Sequence, residues 1–505
     1  LIDDGSVYFL SRPRRFGKSL TISTFDALFS GKKELFEGLA AEEFVNRSEY
    51  KIYPVACFDM SDVTTYLGPD TLRASILAQI QNIAAGLGVE CEGVSPGDAL
   101  SRMLMRAAER SGERIVVLID EYDKPILDHF GEPSTITGVR EIMRDFYIRL
   151  KASDQYLRFV FMTGISKFSK LGVFSAMNNM RDISSDERYS AMLGYTKEEL
   201  VAYFGEYIEQ AAAKMGSDKD SLLDGIRDYY DGFSFDGSTN LYNPFSTLCF
   251  FAEAKFKNYW FDTATPSFLA DYVKRHDLEA ESFRGLEVDE DFTSTSEIES
   301  APPESFLYQS GYLTVRERTG ETLILDYPNK EVLSSIANLF IYGKLEVSRF
   351  AKETADLGHE LREGNAEALP EVYDRLLASI PYDIYEREEK KYASYKSNPS
   401  GNALPLGESF YHALLFTMLW ASKLNTVAER HSYLGRSDIE AEINGCRYVI
   451  ELKVADGAEA ARTAARAGMK QIRDKGYADK YERAVLISLA VDRTSRRLGA
   501  SNIER

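Results

Sequence analysis

A strand-like run, Val7-Tyr8-Phe9-Leu10, gives way at Ser11 to Arg12-Pro13-Arg14-Arg15-Phe16-Gly17-Lys18-Ser19 and then to a helical stretch. A strand that turns through such a loop into a helix commits the chain to a layered α/β sheet. The loop works only where backbone N–H groups converge on phosphates at a helix N-terminus. Gly17 suits the turn, the Lys18 amine can reach outer phosphates, and the Ser19 hydroxyl can meet Mg²⁺. Arg12 stands where the usual pattern has its first glycine, so the loop's shape is open at this point. Arg14 and Arg15 are left between two roles, touching phosphate or touching a neighbouring subunit.

A second element reinforces the first. Ile115-Val116-Val117-Leu118-Ile119 is a buried strand ending in Asp120-Glu121, the Walker B arrangement. Asp120 would hold Mg²⁺ through water, and Glu121 would orient or deprotonate the attacking water. The plainer alternative makes Lys18 a surface residue of a helix and Asp120 a helix cap. Thr163, closing the strand Phe159-Val160-Phe161-Met162, is either a γ-phosphate sensor or a simple strand-end hydroxyl.

Strands are predicted at 6–10, 54–59, 114–120 and 158–163. Helices are predicted over 72–87 and 99–110, where apolar residues recur every three or four positions. This is the pattern of a doubly wound parallel sheet. The 505 residues allow about three domains at roughly 150 residues each. We divide them into a P-loop domain (1–195), a helical lobe rich in Tyr and Phe (196–276), a linker (277–304), a winged-helix-like connector (305–345), a helical linker region (346–400) and a C-terminal α/β domain (401–505). The 277–304 segment carries ten acidic residues and one basic residue, Arg284, which suits a solvated linker. Thr319-Gly320 marks a hairpin between 312–316 and 322–327. A second charged stretch, 386–396, precedes the breaker-rich 398–402.

The net charge of −19 repels polyanions at long range, so nucleic-acid contact requires a local basic patch. Residues 454–505 supply a modest one, with 11 basic and 7 acidic side chains. The four cysteines lie far apart, which argues against a disulfide framework or zinc knuckle and for a reducing cytoplasm. The apolar run 410–419 contains His412 and is too short to cross a membrane. No signal peptide is evident. Beginning at Leu1, directly ahead of a strand-like run, the chain is read as lacking its natural N-terminus.

The most specific geometry lies near the C-terminus. Asn444-Gly445, a strong hairpin signal, joins 438–443 to 446–453. A two-residue turn pairs Ile443 with Cys446, and stepping outward places Asp438 opposite Glu451, about 4.5–5.5 Å apart at Cβ. Lys453 shares their face. Ile439, Ala441, Ile443, Cys446, Tyr448, Ile450 and Leu452 fall on the other face and are expected to pack inward. Two such carboxylates can share a divalent metal, Mg²⁺ or Mn²⁺, that activates water for attack on a phosphodiester, with Lys453 as a further positive group. The alternative is a solvated hairpin face, and Glu440 and Glu442 on that face lean toward it. Gln471, in a helical run over 458–480, and Tyr477 could line the same cleft. Glu429, expected at a helix end, could add a carboxylate, with Glu408 a weaker candidate. The five histidines form no ligand spacing and are read as packing or surface.

Taken together, 9–20, 118–123, Thr163-Gly164-Ile165-Ser166-Lys167-Phe168-Ser169, Asn178-Asn179, Tyr242-Asn243-Pro244-Phe245 and Tyr327-Pro328-Asn329-Lys330-Glu331-Val332 resemble, in order, the bacterial and archaeal proteins that pair an AAA-ATPase-like domain with a C-terminal PD-(D/E)XK nuclease-superfamily domain. In that family an arginine-rich loop also replaces the first glycine. The resemblance implies ATP binding around Arg14, Arg15, Phe16, Gly17, Lys18, Ser19 and Leu20, with Asp120 and Thr163. It also implies a restriction-endonuclease-like core in which Asp438, Glu451 and Lys453 are the catalytic positions. The implied activity is an ATPase tethered to a metal-dependent nuclease, with nucleic acid as partner, no membrane, and a homo-oligomer or protein partner left open. The rival is a nucleotide-dependent switch or interaction protein whose nuclease fold binds without cutting; an ATPase that remodels proteins through the helical lobe is a third option.

Overall fold

The structure is a computed structural model and describes residues 1–3, 5–65, 68–129, 132–166, 180–260, 280–293, 302–345, 350–381, 385, 406–422, 424–432, 435–478 and 481–505. The chain forms two compact units. The first comprises Leu1–Phe256 and Gly285–Asn329, the second Lys257–Arg284 and Lys330–Arg505. The expected connector is therefore divided at Asn329, its hairpin belonging to the first unit and the helix after it to the second.

The first unit is built on a five-stranded parallel sheet. Its strands are β1 (Val7–Ser11), β2 (Val55–Asp59), β3 (Ile115–Asp120), β4 (Leu157–Gly164) and β5 (Arg181–Asp182). Helices α1 (Lys18–Phe29), α2 (Pro69–Gly86), α3 (Pro96–Ser111) and α4 (Pro133–Ala152) cross between them. Every residue of β3 is buried, and β4 is buried except at Arg158, as expected of strands covered on both faces. The strand order is β2-β3-β4-β1-β5. Because β4 lies between β1 and β3, Thr163 pairs with Leu10 on one side while the neighbouring strand leads to Asp120. The carboxyl ends of β1, β3 and β4 thus meet at one edge, where open α/β sheets place their ligands.

Three helices follow: α5 (Lys197–Met215), α6 (Lys219–Tyr230) and α7 (Pro244–Glu253). Thr196 and Glu199 form a reciprocal capping box at the start of α5. The segment expected as a solvated linker contains regular structure. It supplies β6 (Leu286–Asp289), where Leu286 and Val288 are half-buried while Glu287 and Asp289 face water. After α8 (Pro303–Ser310) come the hairpin strands β7 (Thr314–Thr319) and β8 (Thr322–Asp326), and the sheet order is β6-β8-β7.

The second unit contains α9 (Lys330–Leu345), α10 (Phe350–Arg362), α11 (Ala368–Ser379) and α12 (Leu406–Ala421). They precede a mixed sheet of β9 (Asn425–Ser432), β10 (Gly435–Ile443), β11 (Cys446–Ala455), β12 (Ala484–Asp492) and β13 (Arg497–Glu504). α13 (Ala458–Asp474) connects β11 to β12, which run parallel, and all other pairings are antiparallel. The order is β13-β12-β11-β10-β9. The Asn444-Gly445 turn has positive φ at both residues, 49° and 71°, as a two-residue hairpin turn demands. The ladder pairs Ile443 with Cys446 through Ile439 with Ile450, the register derived from the turn.

Helices cover both faces of this sheet, so the solvated-face alternative holds only at its edge, where Glu442 faces water and pairs with Arg447 at 2.7 Å. α12 packs against β11, with Leu415, Phe416, Leu419 and Trp420 buried. On the opposite face Met469 and Ile472 of α13, with Tyr477, close over Val449. Glu440, expected to solvate the hairpin, is buried and accepts a 2.7 Å hydrogen bond from the Tyr481 hydroxyl. Among the described residues no helix is long and apolar enough to cross a membrane.

Candidate functional site

The phosphate loop has the form its sequence implies, through an unexpected device. Arg12 is 1 % exposed, and its guanidinium donates to Ser184 O at 2.7 Å, Ser11 O at 2.9 Å and Tyr189 O at 3.1 Å. It also stacks 3.9 Å from the Phe235 ring centre. Burial lowers its pKa to about 10. Arg12 therefore anchors the loop from beneath. A glycine is not needed at this position because its φ is not in the left-handed region. Positive φ occurs instead at Arg15, 67°, and Gly17, 94°.

Phe16 is buried edge-on against Phe233 and Phe235, at 4.9 and 5.7 Å, so its side chain ties the loop to the segment between α6 and α7. The Arg15 guanidinium lies over Phe245 at 4.9 Å. Lys18 is buried, and its Nζ donates to Arg12 O at 2.9 Å and Pro13 O at 3.0 Å. Burial lowers the ammonium pKa to about 8, against the pull of Glu121, Asp123 and Asp120. Ser19 and Leu20 are exposed in the first turn of α1, whose N-terminus has no side-chain cap. An uncapped helix start beside a buried ammonium suits a polyphosphate.

Facing the loop, Asp120 is buried and accepts from its neighbour's Glu121 N–H at 2.9 Å. Glu121 adopts φ 47°, a strained value for a non-glycine residue at the strand end. Its carboxyl is pushed up by burial and by Asp123 and Asp120, which outweigh Lys18. Thr163 is fully buried and donates to Leu10 O at 2.8 Å, so its hydroxyl proton is used within the sheet. Asp123, given no role by sequence reasoning, is 1 % exposed and accepts from Ser166 N at 2.8 Å and Ile165 N at 3.1 Å. With Tyr122, whose hydroxyl reaches Ser166 O at 2.8 Å, it fastens the end of β3 to the end of β4. Lys167-Phe168-Ser169 and Asn178-Asn179 lie outside the described residues.

In the second unit Asp438 and Glu451 lie one step beyond Ile439 and Ile450, the last pair of the hairpin ladder. Asp438 is half-buried and its Oδ2 accepts from Leu452 N at 2.9 Å. Its carbonyl accepts from His412 Nε2 at 3.0 Å, so that nitrogen bears the proton. Glu451 is fully buried. Its Oε1 accepts from Lys453 Nζ at 2.6 Å, while Oε2 has no hydrogen-bond partner. Burial and then Asp438 raise the Glu451 pKa, with Lys453 opposing. Gln471 is half-buried on α13, and Tyr477 packs on Val449.

Glu429 lies on a strand rather than at a helix end. Its neighbours Ala428 and Arg430 pair with Ile439 and Ser437, so its backbone position shares the row of Asp438. The side chains of Glu429 and Glu408 lie outside the described residues. Among the described residues no three His, Cys, Asp or Glu side chains converge as a metal cage. A hard cation held by one or two carboxylates, with water and substrate oxygens completing its shell, requires no such cage. The unpartnered Glu451 Oε2 beside Asp438 fits that kind of ion.

Two family models match the chain, a predicted AAA-ATPase over residues 1–174 and the PD-(D/E)XK nuclease superfamily over residues 406–497. An "Uncharacterized protein in vnfD 5'region" of Azotobacter chroococcum mcd 1 is 33 % identical over 486 residues, covering 95 % of this chain and 88 % of that protein. The chain belongs to the family that joins these two domains. The parallel sheet with its phosphate loop is the family's AAA-ATPase-like part, and the mixed sheet around Glu451 is its PD-(D/E)XK part.

Proposed function

We propose that this protein binds and hydrolyses ATP in the first unit and hydrolyses phosphodiesters of nucleic acid in the second, with Mg²⁺, or Mn²⁺ at the second site. What supports the nuclease reading is Asp438 and Glu451, one step beyond the last ladder pair of the Asn444-Gly445 hairpin, with an unpartnered buried oxygen on Glu451. When bound, the cation supplies Lewis acidity that makes water nucleophilic and offsets charge on the phosphate. Asp438 and Glu451 would hold it. Lys453, through its bond to Glu451 Oε1, keeps that carboxylate oriented and adds positive charge beside the attacked phosphate. Exposed Arg462, Arg466 and Lys470 recur every fourth residue on the outer face of α13, whose inner face covers Val449. Among the described residues Arg462 and Arg466 have no carboxylate partner, which suits phosphate contact despite the net charge of −19.

In the ATPase site, the loop N–H groups and Lys18 would bind the phosphates, Ser19 and Asp120 would hold Mg²⁺, and Glu121 would accept the proton of the attacking water. The four cysteines form no disulfide, in keeping with a reducing cytoplasm.

The complete burial of Glu451 favours a second reading, a nucleotide-dependent switch that binds without cutting. A cleavage panel on single- and double-stranded DNA and RNA, with and without ATP and Mg²⁺ or Mn²⁺, decides between them. We expect metal-dependent cutting that Asp438→Ala abolishes, and loss of nucleotide binding in Lys18→Ala. Nucleotide binding without cutting of any substrate under any metal condition establishes the switch.

A further inference from the structure

We infer that Ser488, with Gly468 above it, positions Glu451 for metal binding; the inference rests on the proposed carboxylate-pair site. β11 and β12 run in parallel with Glu451 beside Ser488. Both residues are fully buried, and both present an atom without a hydrogen-bond partner, Glu451 Oε2 and Ser488 Oγ. An unsatisfied buried polar atom is destabilising, so an unused donor and an unused acceptor on neighbouring strand positions of one face mark a built feature.

The covering helix is shaped around them. α13 crosses this face with Gly468, where a Cβ would collide with Ser488 Oγ and come within 3.4 Å of Glu451 Cγ and 3.5 Å of Lys453 Cγ. A glycine in a helix interior is less favourable than alanine, so its presence needs a local reason. The close approach of helix to hydroxyl and carboxylate is that reason.

With its Oγ held where Gly468 leaves room for it, Ser488 can donate to Glu451 Oε2 through a single water, fixing the carboxylate that Lys453 already holds by Oε1. It touches neither metal nor substrate, so it is a positioning residue. Outer partners of metal ligands typically contribute 10–100-fold to metal affinity or activity.

The test uses the full chain and Mn²⁺ alone, with free and bound ion followed by electron paramagnetic resonance. Ser488→Ala, which removes only the hydroxyl, is expected to weaken Mn²⁺ binding by 10–100-fold and to alter the bound-ion spectrum while the unfolding temperature stays near that of the parent. Ser488→Cys, with a weaker donor, should lie between the two. Wild-type affinity and spectrum in both variants would overturn the inference. The underlying site is tested separately by Asp438→Ala: if that variant binds Mn²⁺ like the parent, or the parent binds none, the carboxylate-pair reading itself fails and takes the role of Ser488 with it.

Discussion

Burial sets the Lys18 ammonium at about 8, although three carboxylates act on it in the opposite sense. Bound phosphates would hold the proton on and raise that value, so the nucleotide complex carries a proton that the free protein gives up above pH 8. Affinity for ATP should then fall by about tenfold per pH unit above 8, each unit corresponding to about 1.4 kcal/mol. Titration with a fluorescent ATP analogue between pH 7.5 and 9.5 measures this slope. Lys18→Met should bind weakly and without it; an equal slope in that variant assigns the proton elsewhere. Glu451 works in the other direction. Its pKa is raised, and a cation must displace the proton, so Mn²⁺ affinity should climb with pH until the free carboxyl is fully ionised.

Among the elements, α13 makes the sharpest prediction. Replacing a helix-interior glycine by alanine ordinarily stabilises, yet Gly468→Ala should lower the unfolding temperature, because the new methyl has no room against Ser488. Thermal unfolding followed by circular dichroism decides the sign. The strands of the parallel sheet were legible in sequence because continuous apolar runs leave few alternatives. The β10–β11 register was legible because a two-residue turn and an alternating pattern agree on it. What covers each face was not legible, since α13 meets β11 and β12 through contacts that no local periodicity encodes. Glu440 was misassigned for that reason: its partner Tyr481 lies on the far side of α13 in the chain. β6 was missed because its acidic residues obscured the alternation of Leu286 and Val288. The anchoring role of Arg12 was not legible, since its acceptors, Ser184 O and Tyr189 O, are more than 170 residues away.

For the whole molecule, the chain passes between the two units three times, at Phe256, Arg284 and Asn329. The short excursion matters to the second unit: the Arg284 guanidinium donates to Thr426 O at 3.2 Å and lies 5.5 Å from the Trp420 ring. A fragment of residues 330–505 should therefore unfold at lower urea concentration than one of residues 257–505, and equal midpoints would show the excursion to be dispensable. No single breakpoint leaves both units whole. A cut after Phe256 spares only the second, and a cut after Asn329 spares only the first. A single recombination event inside this chain therefore breaks one unit or the other, and exchanging either unit whole takes three crossovers, one at each passage.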